Sequence, residues 1–145
     1  MPTFQPIGSI RSPFTHRDQT PIQPCRSRAA GQVELLPEYE AGLGDIDGFS
    51  HIILLYVFHR ANPGHDLMVT PFLDDRPKGL FATRYPRRPN GIGLSIVRLV
   101  RREGCVLYVE GIDVLNGTPL LDGKPYVPPF DAFPDAAYGW LEGRA

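Results

Sequence analysis

Residues 82–95, ATRYPRRPNGIGLS, combine the chemistry of a polar-ligand loop within a short span. Arg84, Arg87 and Arg88 can fork onto carboxylate or phosphate, Asn90 offers both a donor and an acceptor, and Gly91 and Gly93 let a ligand approach the backbone closely. The stretch is not a dinucleotide fingerprint, which needs a third glycine and a long following helix. Nor is it a P-loop, which needs lysine before serine or threonine. A second polar run, LLDGKPY at 120–126, sets Asp122, Gly123 and Lys124 side by side. Asp122 either holds the amides of its own turn or accepts from hydroxyl or ammonium groups while neighbouring amides read an adenine edge.

Other reactive types are sparse. His51 and His59 stand eight apart, so on one strand they share a face but lie roughly 26 Å apart at ~3.3 Å per residue and cannot share a metal. His51, within an apolar run, reads as a core or boundary histidine; His59, beside Arg60, reads as a site residue or a strand cap. Asp74-Asp75 reads as a loop pair. No Ser-His-Asp or Cys-His pairing has supporting spacing, which argues against a hydrolase. Cys25 and Cys105 are too few for a disulfide framework and lack zinc spacing, so both read as structural thiols.

A net charge of −1 hides a strong asymmetry. Residues 76–102 carry eight basic side chains and no acid, leaving −9 on the rest of the chain. Arg11, Arg17, Arg26 and Arg28 against Asp18 make a second local excess. Clustered arginine and lysine displace counterions from phosphates, so a polyanion is the expected partner.

Short elements must position these groups, because 15 glycines and 16 prolines interrupt the chain throughout. That composition leaves little room for long helices and points to a mainly β class. A first strand is expected over 4–11, ended by Ser12-Pro13, and a second over 31–36. One helical turn follows Pro37 over 38–42. FSHIILLYVF at 49–58 reads as the central strand, buried on both faces, with His59 and Arg60 at its end. Short strands are expected over 69–73 and 79–83, and a hairpin over 94–110 turning at Arg102-Glu103-Gly104. Asn116-Gly117 is a turn between 111–115 and 119–121. Prolines at 128, 129 and 134 forbid regular pairing before a short helical tail at 135–141.

With 145 residues, 42% hydrophobic and 21% charged, the chain fits one globular domain over 1–145 with a core over 4–130, and excludes a disordered tail, a coiled coil and a collagen-like repeat. No apolar run approaches the roughly 20 residues that cross a bilayer, and the N-terminus lacks a charged leader. A cytoplasmic protein with no membrane partner is expected.

The motifs IGSIRSPF, PIQP, LLPEYEAGL, DGFSHIILLYVFHR, GLFATRYPRRPNGIGLS and DVLNGTPLLDGKPY, in that order, resemble the TsaA/TrmO-like family of S-adenosylmethionine-dependent tRNA methyltransferases. They cover the chain from about Ile7 to Tyr126. The resemblance implies a single-domain β-barrel or pseudobarrel with few short helices, and a homodimer with S-adenosylmethionine held near the subunit interface. It implies no metal, and methylation of N6 of threonylcarbamoyladenosine beside the anticodon of tRNA. Carried over position by position, cofactor contacts fall at Pro21, Ile22 and Gln23, at His59 and Arg60, at Arg84 and Leu94, and at Leu121, Asp122, Gly123 and Lys124. Two positions depart from the family pattern. Ile22 replaces the arginine of PRQ, removing one carboxylate or phosphate contact, and Gly91 replaces the second proline of RPNPIG, loosening the loop. Longer bacterial members continue into a C-terminal region, which bears on tRNA selection more than on cofactor binding.

Methyl transfer from a sulfonium is an in-line displacement, so the protein must align nitrogen, methyl and sulfur and keep water out. The lone pair of the ureido-substituted N6 is delocalised, so loss of its proton must be assisted. Tyr85, Asn90 or the pair His59 and Arg60 is expected to orient that group while a base or ordered water takes the proton. Arg84 would hold the cofactor carboxylate or the substrate. Arg87 and Arg88 would meet RNA phosphate, and Tyr85 or Phe72 would stack on a base or pack in the core. Two other readings fit the same residues: a noncatalytic β-barrel RNA-binding module, and a methyltransferase of this fold acting on a small molecule. Cofactor binding separates the first, and methyl transfer to tRNA the second.

Overall fold

A computed structural model of the chain describes residues 2–16, 28–61 and 63–144. They group into two compact units, one of Met1–His59 with Ile92–Tyr126 and one of Arg60–Gly91 with Val127–Ala145. The strands in chain order are β1 (Gly8–Arg11), β2 (Ala30–Leu35), β3 (His51–Val57), β4 (Met68–Val69), β5 (Lys78–Gly79), β6 (Ile92–Glu103), β7 (Val106–Glu110) and β8 (Thr118–Pro125).

The first unit is a closed antiparallel barrel in the order β1-β2-β7-β6-β3-β8, with β8 pairing back onto β1. The mainly β, barrel architecture expected from the sequence is therefore present. Closure removes the free edges that would otherwise template association. Alternate residues fill the interior: Ile10, Val33, Ile52, Leu54, Val97, Leu99, Leu107, Val109 and Leu120 are all buried. Each such side chain contributes about 1.5–3 kcal/mol of gross burial energy. Ile112 and Val114, from the β7–β8 connection, complete this core. The Asn116-Gly117 turn forms as expected, with Gly117 at φ 85°, a conformation that costs glycine nothing. Asn116 Oδ1 accepts the Ser12 N–H at 3.1 Å, tying the turn to the end of β1.

Several expected boundaries move. The first strand starts at Gly8 rather than at residue 4, and residues 111–115 form no strand. The apolar run of β3 alternates instead of being buried on both faces: Ile52, Leu54 and Tyr56 point inward, while Ile53, Leu55 and Val57 are half-buried outside. A small barrel has one interior, so a strand in it has one buried side. His51 is exposed at the start of β3, where Ser50 Oγ meets its Nδ1 at 2.7 Å, so it is a boundary rather than a core residue. The helical turn after Pro37 is a 3-10 segment, Pro37–Leu43, that buries Leu43. The hairpin is longer than its β-branched stretch, spanning β6 and β7.

In the second unit β4 pairs with β5, shortening the two strands expected there, and Leu80–Ala82 continues as a 3-10 turn. The helical tail contracts to a 3-10 turn, Gly139–Leu141. Asp74 organises this unit. Its carboxylate, only 6% exposed, pairs with Lys78 at 3.0 Å and Arg144 at 3.8 Å and accepts the Asp75 N–H at 2.7 Å. The Lys78 ammonium, aided by the Asp75 amide, holds the Asp74 carboxyl well below the usual carboxylate range. A depressed carboxyl stabilises the fold above its unfolded pKa of about 4 and loses that contribution as pH falls towards the folded value. Stability should therefore decline progressively below about pH 4, and Asp74→Asn should be less stable at neutral pH with a shallower acid dependence. Denaturant titrations across that range check this; parallel acid profiles for both proteins would contradict it.

Candidate functional site

Strand pairing brings together residues that are far apart in sequence. Leu55 of β3 lies opposite Leu94 of β6 on one side and Asp122 of β8 on the other. The three make one outward-facing row across adjacent strands, roughly 10 Å from end to end at about 4.8 Å per strand. Val57 opposite Ile92 and Ile53 opposite Ile96 flank the row, and Lys124 faces Ile53 from β8. A register shift between Leu55 and Tyr56 leaves Leu121 as the extra residue on β8. That bulge re-aims the Asp122 and Lys124 side chains. Asp122 Oδ1 accepts the Gly123 N–H at 2.9 Å, the self-contained contact expected of it. Asp122 Oδ2 pairs with Lys124 Nζ at 2.9 Å, and the neighbouring carboxylate pushes the Lys124 ammonium upward in pKa. Asp122, Gly123 and Lys124 also border a cavity of about 330 Å³ that reaches the inward-facing Leu54 and Leu120 and the 3-10 residue Tyr39. No neighbour lies within 4 Å of where a Cβ on Gly123 would stand, so the backbone there is open to a ligand.

Behind this face runs a buried polar chain that sequence reasoning missed. The Tyr56 hydroxyl meets Ser95 Oγ at 2.8 Å, and Ser95 Oγ donates to Asp113 Oδ1 at 2.6 Å. Ser95 is fully buried. The only sequence signal is a serine at an inward position of a β-branched strand. Gly93 serves this chain rather than a ligand: a Cβ there would run into the Tyr56 ring and stand 2.9 Å from Phe58 Cζ. The expectation that Gly93 admits a ligand is corrected accordingly.

The remaining candidates lie elsewhere. Pro21, Ile22 and Gln23, with Cys25, fall outside the described residues. His59 ends the barrel unit just after β3, its N–H bonded to the Val57 carbonyl at 2.8 Å. Arg60, Arg84, Tyr85, Arg87, Arg88 and Asn90 belong to the second unit; Arg60, Arg84, Tyr85 and Asn90 are exposed. Arg88 is spent on its own loop, donating to the carbonyls of Thr83 at 3.1 Å and Tyr85 at 2.8 Å. These bonds pin the loop. Arg87 pairs with Asp66 at 3.6 Å and stays partly exposed. The basic run is likewise not one free patch: Lys78 pairs with Asp74, Arg101 with Glu103, and Arg102 donates to the Gly104 carbonyl. The Cys105 thiol donates to Glu40 at 3.3 Å, and burial raises its pKa, which suits a structural thiol. Among the described residues no three His, Cys, Asp or Glu side chains gather for a metal, and no helix is long and apolar enough to cross a membrane.

Residues 9–132 match the family described as the tRNA-methyltransferase O N-terminal domain. A probable S-adenosyl-L-methionine-binding protein of Pyrococcus abyssi is 51% identical over 140 residues, covering 96% of this chain and 76% of the relative. The tRNA (adenine(37)-N6)-methyltransferase of Homo sapiens is 38% identical over 137 residues, 88% of this chain but 31% of that protein. The crystal structure of TrmO from Pseudomonas aeruginosa superimposes with a TM-score of 0.84 at 42% identity, covering all of this chain and 64% of the other. This chain thus spans about two thirds or less of the human and Pseudomonas proteins.

Proposed function

Because the chain belongs to the tRNA-methyltransferase O N-terminal domain family, we propose that it transfers a methyl group from S-adenosylmethionine to N6 of threonylcarbamoyladenosine beside the anticodon of tRNA. The row Leu94–Leu55–Asp122 carries this reading, since it joins an apolar bed to a carboxylate already oriented by Gly123 and Lys124. Its chemistry fits the cofactor. Leucine faces suit a flat ring and a thioether chain, and a carboxylate suits ribose hydroxyls or an ammonium. When bound, S-adenosylmethionine supplies an electrophilic methyl on a cationic sulfur. Around it, Leu94 and Leu121 exclude water, Asp122 accepts hydrogen bonds, and the open backbone at Gly123 and Lys124 reads a base edge. Pro21, Ile22, Gln23, His59, Arg60 and Arg84 complete the cofactor contacts on this reading.

Tyr85 or Asn90 orients the ureido group for proton loss, and Arg87 meets RNA phosphate. The two units act as one domain, a reading supported by a family match that runs unbroken through both. The protein works as a cytoplasmic homodimer, supported by the apolar outer face where Ile92 is 43%, Leu94 47% and Ile96 37% exposed; sedimentation of the intact chain reads this directly.

Nucleoside mass spectrometry of tRNA incubated with protein and cofactor tests the activity. Threonylcarbamoyladenosine should be replaced by a species heavier by one methyl group. Saturable cofactor binding with unmodified tRNA would favour a small-molecule acceptor, and absence of cofactor binding a noncatalytic RNA-binding module.

A further inference from the structure

The loop after β5 holds an aromatic ring out into solvent on a backbone fixed at nearly every step. Leu80 is buried, and its N–H bonds the Leu67 carbonyl at 2.8 Å. Phe81, the next residue, is 73% exposed. The Ala82 carbonyl accepts the Trp140 indole N–H at 2.7 Å. Thr83 Oγ1 donates to the Leu80 carbonyl at 2.7 Å and accepts the Tyr85 N–H at 3.2 Å. Arg88 ties the carbonyls of Leu80, Thr83 and Tyr85 together, and its guanidinium carbon sits 5.8 Å from the centre of the Phe81 ring.

A large apolar ring displayed on a rigid loop is costly to hydrate and cheap to bind, because the ordering entropy is already spent in folding. The chemistry around it selects the partner. The ring has a fixed cation beside it and is followed closely by the exposed Arg84 and Tyr85. Aromatic rings interleaved with arginine fit unstacked bases strung on phosphates better than an apolar protein surface. We propose that Phe81 is a stacking platform for an unpaired base of the RNA substrate, with Arg88 holding the loop that presents it. This rests on the reading of tRNA as the substrate and adds the residue that grips its loop.

The test uses the full chain and a synthetic anticodon stem-loop carrying 2-aminopurine next to the target adenosine, titrated at one fixed salt concentration. Wild-type protein should quench the 2-aminopurine on binding. Phe81→Ala should weaken RNA binding about 5- to 100-fold, Phe81→Trp should restore it, and Phe81→Leu should not. Cofactor affinity, measured by calorimetry, should stay level throughout. Unchanged RNA binding by Phe81→Ala would overturn the proposal, as would full rescue by leucine, which would mean apolar contact without stacking. A change in sedimentation with RNA binding intact would also overturn it, by assigning the ring to a second copy of the chain. Because the readout is RNA binding, stacking without methyl transfer would spare this inference and sink the proposed activity; methylation with normal RNA affinity in Phe81→Ala would do the reverse.

Discussion

Asp122→Ala should weaken S-adenosylmethionine binding by about 10- to 100-fold in calorimetry while leaving the unfolding midpoint nearly unchanged. A hydrogen bond to a charged group contributes about 1.5–3 kcal/mol, and the proposed contact is of that kind. The Asp122 side chain is 45% exposed, with one oxygen bonded to the Gly123 N–H and the other paired with Lys124. Removing it therefore empties no core and strands no buried partner, which is why stability should hold. Asp122→Asn keeps the bond from Gly123 but gives up the charge and half the acceptor capacity, so its affinity should fall between the two. Equal cofactor affinity in all three proteins would remove Asp122 from the site and leave the Leu94–Leu55 bed without its polar anchor.

Gly93→Val should cost about 3 kcal/mol, lowering the melting temperature by about 10 °C, and the cause is steric. A side chain at 93 would occupy the space of the Tyr56 ring and crowd Phe58. Tyr56 has little freedom to yield. Its hydroxyl is bonded to Ser95, its ring packs edge-on against Phe58 at 5.6 Å between centroids, and it is 4% exposed. If it moves, Ser95 loses one of its two partners in a fully buried position and keeps the bond to Asp113, and the lost hydrogen bond adds to the overpacking. Gly123→Ala is the control, because no atom lies within 4 Å of its added carbon. Thermal unfolding of the two variants should separate them clearly. Equal midpoints would mean that the barrel relaxes around residue 93 and that the packing of Tyr56 is not fixed as described.

These two positions show what could be read ahead of the fold. Asp122 stood out because acid, glycine and lysine adjoin in sequence, and its bond to the next amide is a local contact that needs no distant partner. Gly93 also stood out, but for the wrong partner. The ring it accommodates comes from β3, 37 positions earlier, and only the pairing of Tyr56 with Gly93 brings them face to face. Arg88 shows the same dependence on distant neighbours. Its charge suggests phosphate, yet the curl of residues 80–85 turns three carbonyls towards it.

What the sequence determined by itself is whatever depends on neighbours a few residues apart. Glycine and proline placement set a mainly β chain of short elements, alternation marked the strands, Asn116-Gly117 set a turn, and ordered motifs identified the family. Tertiary structure alone decided which strands lie side by side. Strand order β6-β3-β8 places Leu94, Leu55 and Asp122 in one row and threads Tyr56, Ser95 and Asp113 into one buried chain. The physical reason is that backbone ladder bonds are chemically alike at every residue. Register is chosen by which side chains fill the closed interior together, and that is a property of the whole barrel.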